Sequence, residues 1–277
     1  SLRQSNAGYL KDFRGMTVQP EQIIIGAGTE YLYGLLIQLL GHEAVYAVEN
    51  PGYQKIGKIY QNYQVNWTYI DMDKEGVEVS QIEEKKVDIV HISPSHHYPT
   101  GIVMPVSRRY ELLGWAAKGE GKYIIEDDYD SELRLGGKPI PTLQSIDISE
   151  KVIYMNTFTK TLASTVSISY MILPRPLLEQ FYQKLSFYSC TVSNFEQYTL
   201  DLFIKEGYFE KHINRLRNYY QNKKNGFLSA IRESGLQERV EISGEEAGVH
   251  FLMKLKTERD EETVMELAKV QGIKLSP

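Results

Sequence analysis

A lone lysine stands in a stretch of hydroxyl side chains in the middle of this 277-residue chain. Lys160 is the only charged residue between Lys151 and Arg175, and it follows an apolar run at residues 152–155. Hydroxyl groups surround it in sequence, on Thr157, Thr159, Thr161, Ser164, Thr165 and Ser167. A lysine in a polar loop is usually solvated, but an amine held beside a bound anion can act as a nucleophile. The groups that the fold brings to Lys160 decide between these two interpretations.

A second group of chemically active side chains follows the apolar run at residues 123–125. Five carboxylates come next, on Glu126, Asp127, Asp128, Asp130 and Glu132. Such a cluster could hold Mg²⁺, but after a buried strand only one or two of the side chains usually point towards a site. His91, His96 and His97 lack the spacing of zinc ligands, since the adjacent pair would point apart. We therefore expect solvated or hydrogen-bonded roles for these groups and no metal.

Gly26 and Gly28 follow the first apolar run of the chain and leave two interpretations open. With Glu49 at the end of the next run, they resemble part of the dinucleotide fingerprint of a nucleotide-dependent dehydrogenase. However, Tyr31 occupies the third glycine position, where a large side chain obstructs the packing of helix on strand. Alternatively, Gly28 and Thr29 begin a helix whose backbone N–H groups can bind any phosphate.

Apolar runs rich in β-formers alternate with helical patterns as far as residue 173. We predict strands at residues 22–26, 44–49, 66–71, 88–93, 122–127, 151–156 and 168–173. Most are nearly continuous apolar runs, as in strands that are covered on both faces. Helices are predicted at residues 29–40, 54–63 and 106–118, the last with Ser107 as its N-cap. This alternation predicts an α/β domain with a mostly parallel seven-stranded sheet and helices on both faces.

Beyond residue 173 the pattern changes to long helices, at 174–189 and 194–234, and then to two short strands and a final helix. The change predicts a smaller α+β domain at the C-terminal end. We divide the chain into an N-terminal segment at 1–20, a large domain at 21–175, connecting helices at 176–225 and a small domain at 226–277. The chain begins as if inside a helix and stops where another strand is expected, so we expect it to be a fragment of a longer protein.

In an open parallel sheet, ligands bind outside the carboxyl ends of the strands. Five loops that follow predicted strands hold most of the glycine, proline and hydroxyl residues of the first half: GAGTE, NPGYQK, SPSHHYPTG, DDYDSE and TFTK. At one sheet edge they would bring together a lysine that condenses with an aldehyde and a carboxylate that keeps a pyridine nitrogen protonated. The hydroxyls of Thr157 and Thr159 could hold a phosphate. This combination indicates pyridoxal 5′-phosphate (PLP).

The same motifs resemble a known family. EDDYDSE, followed by VIYMNTFTK with Lys160 at its end, resembles the fold-type I PLP enzymes. More narrowly, PSHHYPTGIVMPVSRR, ENPGY and IIEDDYDSE are similar to the aminotransferase-like domain of MocR/GabR-type regulators of the GntR family. In these proteins a winged-helix DNA-binding domain precedes an aminotransferase fold. The similarity covers nearly the whole chain and implies the PLP-dependent transferase fold (aminotransferase fold type I).

The resemblance implies a role for each matching residue. Lys160 would form the Schiff base with PLP, and Asp127 rather than Asp128 would pair with the pyridine nitrogen. Tyr129 would hydrogen-bond the phenolic oxygen of the ring, and Tyr53 would stack on its face. The other implied cofactor-binding residues are Gly28, Thr29, Thr157 and Thr159 near the phosphate, and Ser95 and Tyr98 along the site, Tyr98 standing where aminotransferases usually have asparagine.

The sequence departs from the family at the phosphate. The family usually has an arginine seven residues after the lysine, in a KxxxPxxR pattern, but that position is Ser167 and the proline position is Ser164. Glu30 stands where glutamine is common and would repel a phosphate. Each charged contact contributes about 1.5–3 kcal/mol, so we expect weaker cofactor binding. The arginine that binds the substrate carboxylate would lie beyond Pro277, and Lys55 is a candidate secondary contact.

Composition limits the remaining classes of function. The formal net charge is −5 and no long basic run is present, so we expect DNA binding only through a separate N-terminal domain. The single cysteine, Cys190, suits a reducing cytoplasm. No stretch is apolar enough to span a membrane, and we expect a cytoplasmic protein.

Three hypotheses follow. The first is an effector-sensing domain that binds PLP, exchanges its Schiff base with an amino acid or amine, and signals to an attached DNA-binding domain. The second is an aminotransferase that moves amino groups between an amino acid and a 2-oxo acid, with Lys160 as general acid–base. The third is a degenerate fold that no longer holds PLP and serves only in dimerisation. The family's site, shared between subunits, implies a homodimer.

Overall fold

The computed structural model describes residues 1–136, 140–163, 165–244 and 248–275. Its helices and strands are α1 (Leu2–Arg14), β1 (Ile23–Gly26), α2 (Thr29–Leu40), β2 (Val45–Asn50), α3 (Gln54–Asn62), β3 (Asn66–Asp73), β4 (Gly76–Val77), α4 (Val79–Glu84), β5 (Ile89–Ile92), α5 (Val106–Ala117), β6 (Tyr123–Asp127), α6 (Leu143–Ile146), β7 (Val152–Thr157), β8 (Ser169–Ile172), α7 (Arg175–Leu185), α8 (Asn194–Lys205), α9 (Tyr208–Glu233), β9 (Val240–Ser243), β10 (Leu252–Leu255) and α10 (Glu261–Val270). All seven strands predicted for the large sheet are confirmed.

An eight-stranded sheet lies at the centre, in the order β1-β8-β7-β6-β5-β2-β3-β4. The five strands β3, β2, β5, β6 and β7 are successive parallel neighbours. β8 is antiparallel to both β7 and β1, and the two-residue β4, which the sequence analysis missed, is antiparallel to β3. β9 and β10 form a separate antiparallel pair. The mostly parallel α/β sheet is thus confirmed.

Helices cover both faces of the sheet because successive strand residues point to opposite sides. On β1, Ile24 packs in one buried cluster with residues of α2 and α7. Its neighbours Ile23 and Ile25 pack instead with residues of α1, α8 and α9. A third cluster joins Val90 and Ile124 to α5. The near-continuous apolar runs in the sequence therefore reflect burial on both faces.

Two predicted helix features were wrong. α5 begins at Val106 with Pro105 as N-cap, so Ser107 lies inside the first turn. The helix predicted at 194–234 is two helices, because Gly207 adopts a left-handed φ of 70° between α8 and α9. α9 continues through the domain boundary predicted at residue 225, and the division into domains stays a prediction. No helix in the described ranges is long and apolar enough to cross a membrane.

An ion pair between α5 and β6 is fully buried. Arg109 Nη1 lies 3.5 Å from Glu126 Oε1, and both side chains are 0% exposed. Glu126 also accepts bonds from the backbone N–H groups of Leu143 and Gln144, both at 2.9 Å, at the start of α6. Burial raises the pKa of Glu126 to about 7, although Arg109 opposes the shift. Since both side chains are fully buried, removal of either one would leave its partner charge buried without a counter-ion.

We predict that Arg109→Met will destabilise the fold by about 3–5 kcal/mol, because Glu126 would remain buried without its cation. Denaturant unfolding followed by circular dichroism measures this loss. Lys118→Met is the matched control, since it breaks only the exposed pair with Glu83 and should change the unfolding midpoint little. Equal losses in the two variants would contradict the proposed importance of the buried pair.

Candidate functional site

The carboxyl ends of five strands meet at one edge of the sheet. β2, β5, β6 and β7 are parallel, and β1 points the same way as β7 because β8 is antiparallel to both. Ser169 pairs with Gly26 on one side and with Thr157 on the other. The loop after β1 therefore lies beside the loop that carries Lys160, as the sequence analysis required.

Hydrogen bonds between hydroxyl and backbone groups fix the turn that leads to Lys160. The Thr157 hydroxyl accepts bonds from Ser169 Oγ at 2.8 Å and from the backbone N–H of Thr159 at 3.2 Å. Thr159 Oγ1 donates to the carbonyl of Val166 at 3.0 Å. Lys160 itself is exposed. The hydroxyl-rich sequence therefore shapes the loop and leaves the lysine accessible at the sheet edge.

The two adjacent aspartates at the end of β6, Asp127 and Asp128, point to opposite faces of the sheet. Asp127 Oδ2 accepts a bond from Tyr33 Oη of α2 at 2.7 Å, and Oδ1 is buried without a partner among the described residues. Asp128 Oδ2 lies 2.6 Å from Arg14 Nη2 of α1 and 2.7 Å from Tyr154 Oη. Asp128 also leaves Oδ1 unpaired, but Arg14 balances its charge. This geometry favours Asp127 as the partner of a protonated ring nitrogen.

A buried chain of polar groups supports Asp127 from the neighbouring strand. His91 Nε2 on β5 lies 3.7 Å from Asp127 Oδ2, and His91 Nδ1 lies 2.8 Å from Tyr60 Oη of α3. Neither Tyr33 nor Tyr60 stands out in the sequence, because a tyrosine on an apolar helix face indicates only a core position. Their hydroxyls nevertheless hold the carboxylate and its histidine in place.

A stacked pair of histidines lies beside Tyr129. Tyr129 Oη donates to the carbonyl of His96 at 3.0 Å, and His96 Nδ1 lies 2.7 Å from Asp130 Oδ2. The ring of His250, which the sequence analysis did not single out, stacks on His96 at 3.9 Å with an angle of 29°. The ligand atoms of His96, Asp130 and His250 lie within 4.8 Å of one another. The hydrogen bond between His96 Nδ1 and Asp130 Oδ2 already accounts for the closeness of these two groups.

His250 also packs against the aromatic side chain of Tyr98. Burial, with smaller contributions from the charges of His96 and Lys160, lowers the pKa of His250 to about 4. Tyr98 packs edge-on against His250, with ring centres 5.4 Å apart, and against Tyr53, 5.9 Å apart. Tyr53 and Tyr98 are about half exposed. Tyr53, predicted to stack on the cofactor ring, therefore packs with Tyr98 at the solvent-exposed side of the sheet edge, and we call this pair the aromatic wall.

Ser95, predicted to line the site, is buried close to Asp128 rather than Asp127. Its hydroxyl accepts a bond from Arg14 Nη2 at 3.2 Å, and the same guanidinium binds Asp128. The cofactor role of Ser95 stays a prediction. Ser164, at the family's proline position, lies outside the described residues.

Gly28 lies where the sequence predicts the cofactor phosphate, a place that we call the phosphate end. Gly28 is the N-cap of α2, and its φ of 89° favours glycine. A methyl group at Gly28 would lie 3.2 Å from Ser167 Oγ and 3.6 Å from Glu30 Oε2. Glu30, expected to repel a phosphate, forms an ion pair with Lys55 of α3. The predicted substrate contact Lys55 is thus placed next to the phosphate end, and its role towards a substrate stays a prediction.

Glu49 is buried at the end of β2. Its Oε2 accepts a bond from the backbone N–H of Ser93 at 3.0 Å and lies 3.4 Å from His97 Nε2. Burial raises the pKa of Glu49 to about 8, and burial lowers the pKa of His97 to about 4, so both are largely neutral near neutral pH. A carboxyl group held in this way is not free to bind a ribose, which weakens the dinucleotide interpretation.

We predict that Glu49 makes stability fall as pH rises from about 4.5 to about 8. In this window Glu49 holds a proton when folded and loses it on unfolding, which reduces stability by up to about 1.4 kcal/mol per pH unit. Glu49→Gln removes the dependence, so its advantage over the wild type should grow with pH in urea unfolding. Exposed Glu84→Gln is the control and should run parallel to the wild type. Parallel curves for both variants would refute the assignment.

Comparisons with known proteins agree with this geometry. No family model matches the chain. It is 41% identical over 276 residues to the uncharacterized HTH-type transcriptional regulator YdeL of Bacillus subtilis, with 100% of this chain and 59% of that protein covered. It is 30% identical over 277 residues to the probable rhizopine catabolism regulatory protein MocR of Rhizobium meliloti, covering 100% and 56%. The chain thus spans less than two thirds of these relatives.

Comparison with a solved structure identifies the fold. The kynurenine aminotransferase of Pyrococcus horikoshii, in complex with PMP, superposes with a TM-score of 0.83 and 28% identity, covering 100% of this chain and 70% of that one. The predicted fold and resemblance are therefore confirmed: the chain has the fold-type I aminotransferase fold and is related along its whole length to HTH-type regulators of the MocR kind.

Proposed function

We propose that the chain is the PLP-binding, aminotransferase-like effector domain of a MocR-type transcriptional regulator, and that it senses an amino acid or amine through Schiff-base exchange at Lys160. One observation carries the proposal. Asp127 is buried, one of its carboxylate oxygens has no partner among the described residues, and it lies at the same sheet edge as the exposed Lys160. A pyridine nitrogen needs a buried anion, and an aldehyde needs an accessible amine.

The residues of the edge fit this cofactor. When bound, PLP supplies an aldehyde and a ring that withdraws electrons from attached groups. Asp127 Oδ1 would hold the proton at the ring nitrogen, while Tyr33 keeps the carboxylate in place through Oδ2. Tyr129 Oη would turn from the carbonyl of His96 to the phenolic oxygen. Tyr53 would cover one face of the ring and exclude water from it.

The similar proteins described as transcriptional regulators support the sensor role. YdeL and MocR are transcriptional regulators that extend well beyond the matched part. Because this chain is acidic overall, DNA binding would fall to another part of the protein. An amino compound would then displace the Lys160 amine, and the change at the sheet edge would reach the DNA-binding domain.

A working aminotransferase is the second candidate, favoured by the close superposition on kynurenine aminotransferase. Lys160, once displaced by the substrate, would move the proton at the substrate's α-carbon. An overnight assay for 2-oxo-acid-dependent amine transfer separates the two candidates. Robust turnover that disappears in Lys160→Ala would establish the enzyme and remove a purely sensing role.

We predict that the purified protein gains a visible absorption band on adding PLP, because a lysine–PLP Schiff base is a conjugated chromophore. Lys160→Ala should lose the band, whereas Lys58→Ala, an exposed lysine on α3, should keep it. Borohydride reduction followed by peptide mass spectrometry identifies the modified lysine. A band that survives in Lys160→Ala, or no band at saturating PLP, would falsify the proposed site.

We also propose a homodimer, since the family's site is shared between subunits and the aromatic wall of Tyr53 and Tyr98 is half exposed in the single chain. Light scattering at micromolar concentration should give twice the 31.9 kDa chain mass. A monomer under the same conditions, with and without PLP, would count against a shared site.

A further inference from the structure

The phosphate end of the proposed site contains a cation that the family pattern does not supply. Lys55 and Glu30 come from the first turns of α3 and α2 and form an ion pair beside Gly28. We infer that Lys55 is the cationic ligand of the cofactor phosphate and exchanges its carboxylate partner Glu30 for that phosphate. This inference rests on the proposed function and deepens it.

The position of the pair follows from its neighbours. Glu30 Oε2 and Ser167 Oγ would lie 3.6 Å and 3.2 Å from a methyl group added at Gly28. Gly26, two residues earlier, is joined through Ser169 to Thr157, where the Lys160 turn begins. The start of α2, Ser167 and the Lys160 turn therefore surround one place. Lys55 lies next to that place because its ammonium group is paired with the Glu30 carboxylate.

Charge balance at this place calls for a cation. The N-terminus of α2 offers a phosphate dianion only about half an elementary charge, and Glu30 in its first turn opposes binding. Ser167 contributes a neutral hydroxyl. The guanidinium groups of Arg14 and Arg109 are held by Asp128 and Glu126 elsewhere at the edge. Lys55 brings a full positive charge to Glu30, whose other carboxylate oxygen lies beside Gly28, and the hydrogen bond to Glu30 raises the pKa of Lys55.

The ion pair is also easy to exchange. Lys55 and Glu30 are 50% and 54% exposed, and pairs exposed to this extent contribute little to stability. Lys55 stands in the first turn of α3, where the helix dipole disfavours a cation, so helix stability does not explain its presence. A phosphate dianion beside it is a stronger partner than one solvated carboxylate.

The test compares PLP with pyridoxal, which lacks the phosphate but keeps the aldehyde. Dissociation constants come from the visible band in wild type, Lys55→Gln and the matched control Lys58→Gln on the same helix. We expect Lys55→Gln to weaken PLP binding about ten- to a hundredfold and to leave pyridoxal unchanged, in proportion to one lost charged contact. Lys58→Gln should change neither constant.

Two further variants test the direction of the effect. Glu30→Gln should tighten PLP binding, because it removes a carboxylate that repels the phosphate and it releases Lys55. Lys55→Gln should still weaken PLP binding in the Glu30→Gln background, because Lys55 contacts the phosphate itself. Ser167→Arg should restore PLP affinity to Lys55→Gln by supplying a new cation. Inorganic phosphate should raise the melting temperature of the wild type more than that of Lys55→Gln, a measurement that needs no bound PLP.

The outcomes separate this inference from the proposed function. If the wild type forms no Lys160-dependent band with PLP or pyridoxal, the proposed function fails and the inference with it. If PLP binds at Lys160 but Lys55→Gln leaves its affinity unchanged, or weakens PLP and pyridoxal equally, only the inference is overturned. If Lys55→Gln instead weakens the binding of amino acids more than the binding of matching amines that lack a carboxylate, Lys55 contacts the substrate rather than the phosphate.

Discussion

Burial of the carboxylates at the end of β6 and in the segment after it is the constraint on which the rest of the site depends. A buried charge without a partner is strongly destabilising, so each of these groups must be satisfied by another element. The partners are Arg109 of α5 for Glu126, Tyr33 of α2 for Asp127, Arg14 of α1 for Asp128, His96 after β5 for Asp130 and Asn156 of β7 for Glu132. One acidic segment thereby ties helices on both faces and the adjacent strands to a single edge.

Asp127 differs from its neighbours in how it is satisfied. Glu126 and Asp128 face guanidinium groups, whereas Asp127 has a tyrosine hydroxyl on one oxygen and no partner among the described residues on the other. In the proposed function, a protonated pyridine nitrogen would be the partner of the second oxygen. The structural role of the acidic segment and its proposed chemical role are therefore two consequences of the same packing.

A sensor and an enzyme with this fold would use the same lysine, aspartate and phosphate contacts, because one fold serves different functions. Ser167 and Glu30, which depart from the family pattern near the proposed phosphate position, would change the affinity for the cofactor more than the chemistry at Lys160. A flexible lysine shared with Glu30 would hold a phosphate less firmly than a bidentate arginine. Reversible occupancy of that kind suits a protein that reports on a small molecule as well as one that turns it over.

The sequence by itself determined the seven main strands, the three longer helices α2, α3 and α5 between them and the loops that meet at one edge, because strands buried on both faces leave apolar runs that loops interrupt. It did not show the short helices α4 and α6. It did not show the break at Gly207, since glycine is tolerated within a helical pattern. Only the tertiary structure decided what depends on orientation and on distant neighbours. The register of β6 turned Asp127 and Asp128 to opposite faces, the fold joined Glu30 to Lys55, and it placed His250 on His96. Such pairs are far apart in the chain, and local patterns do not record which of them the packing brings together.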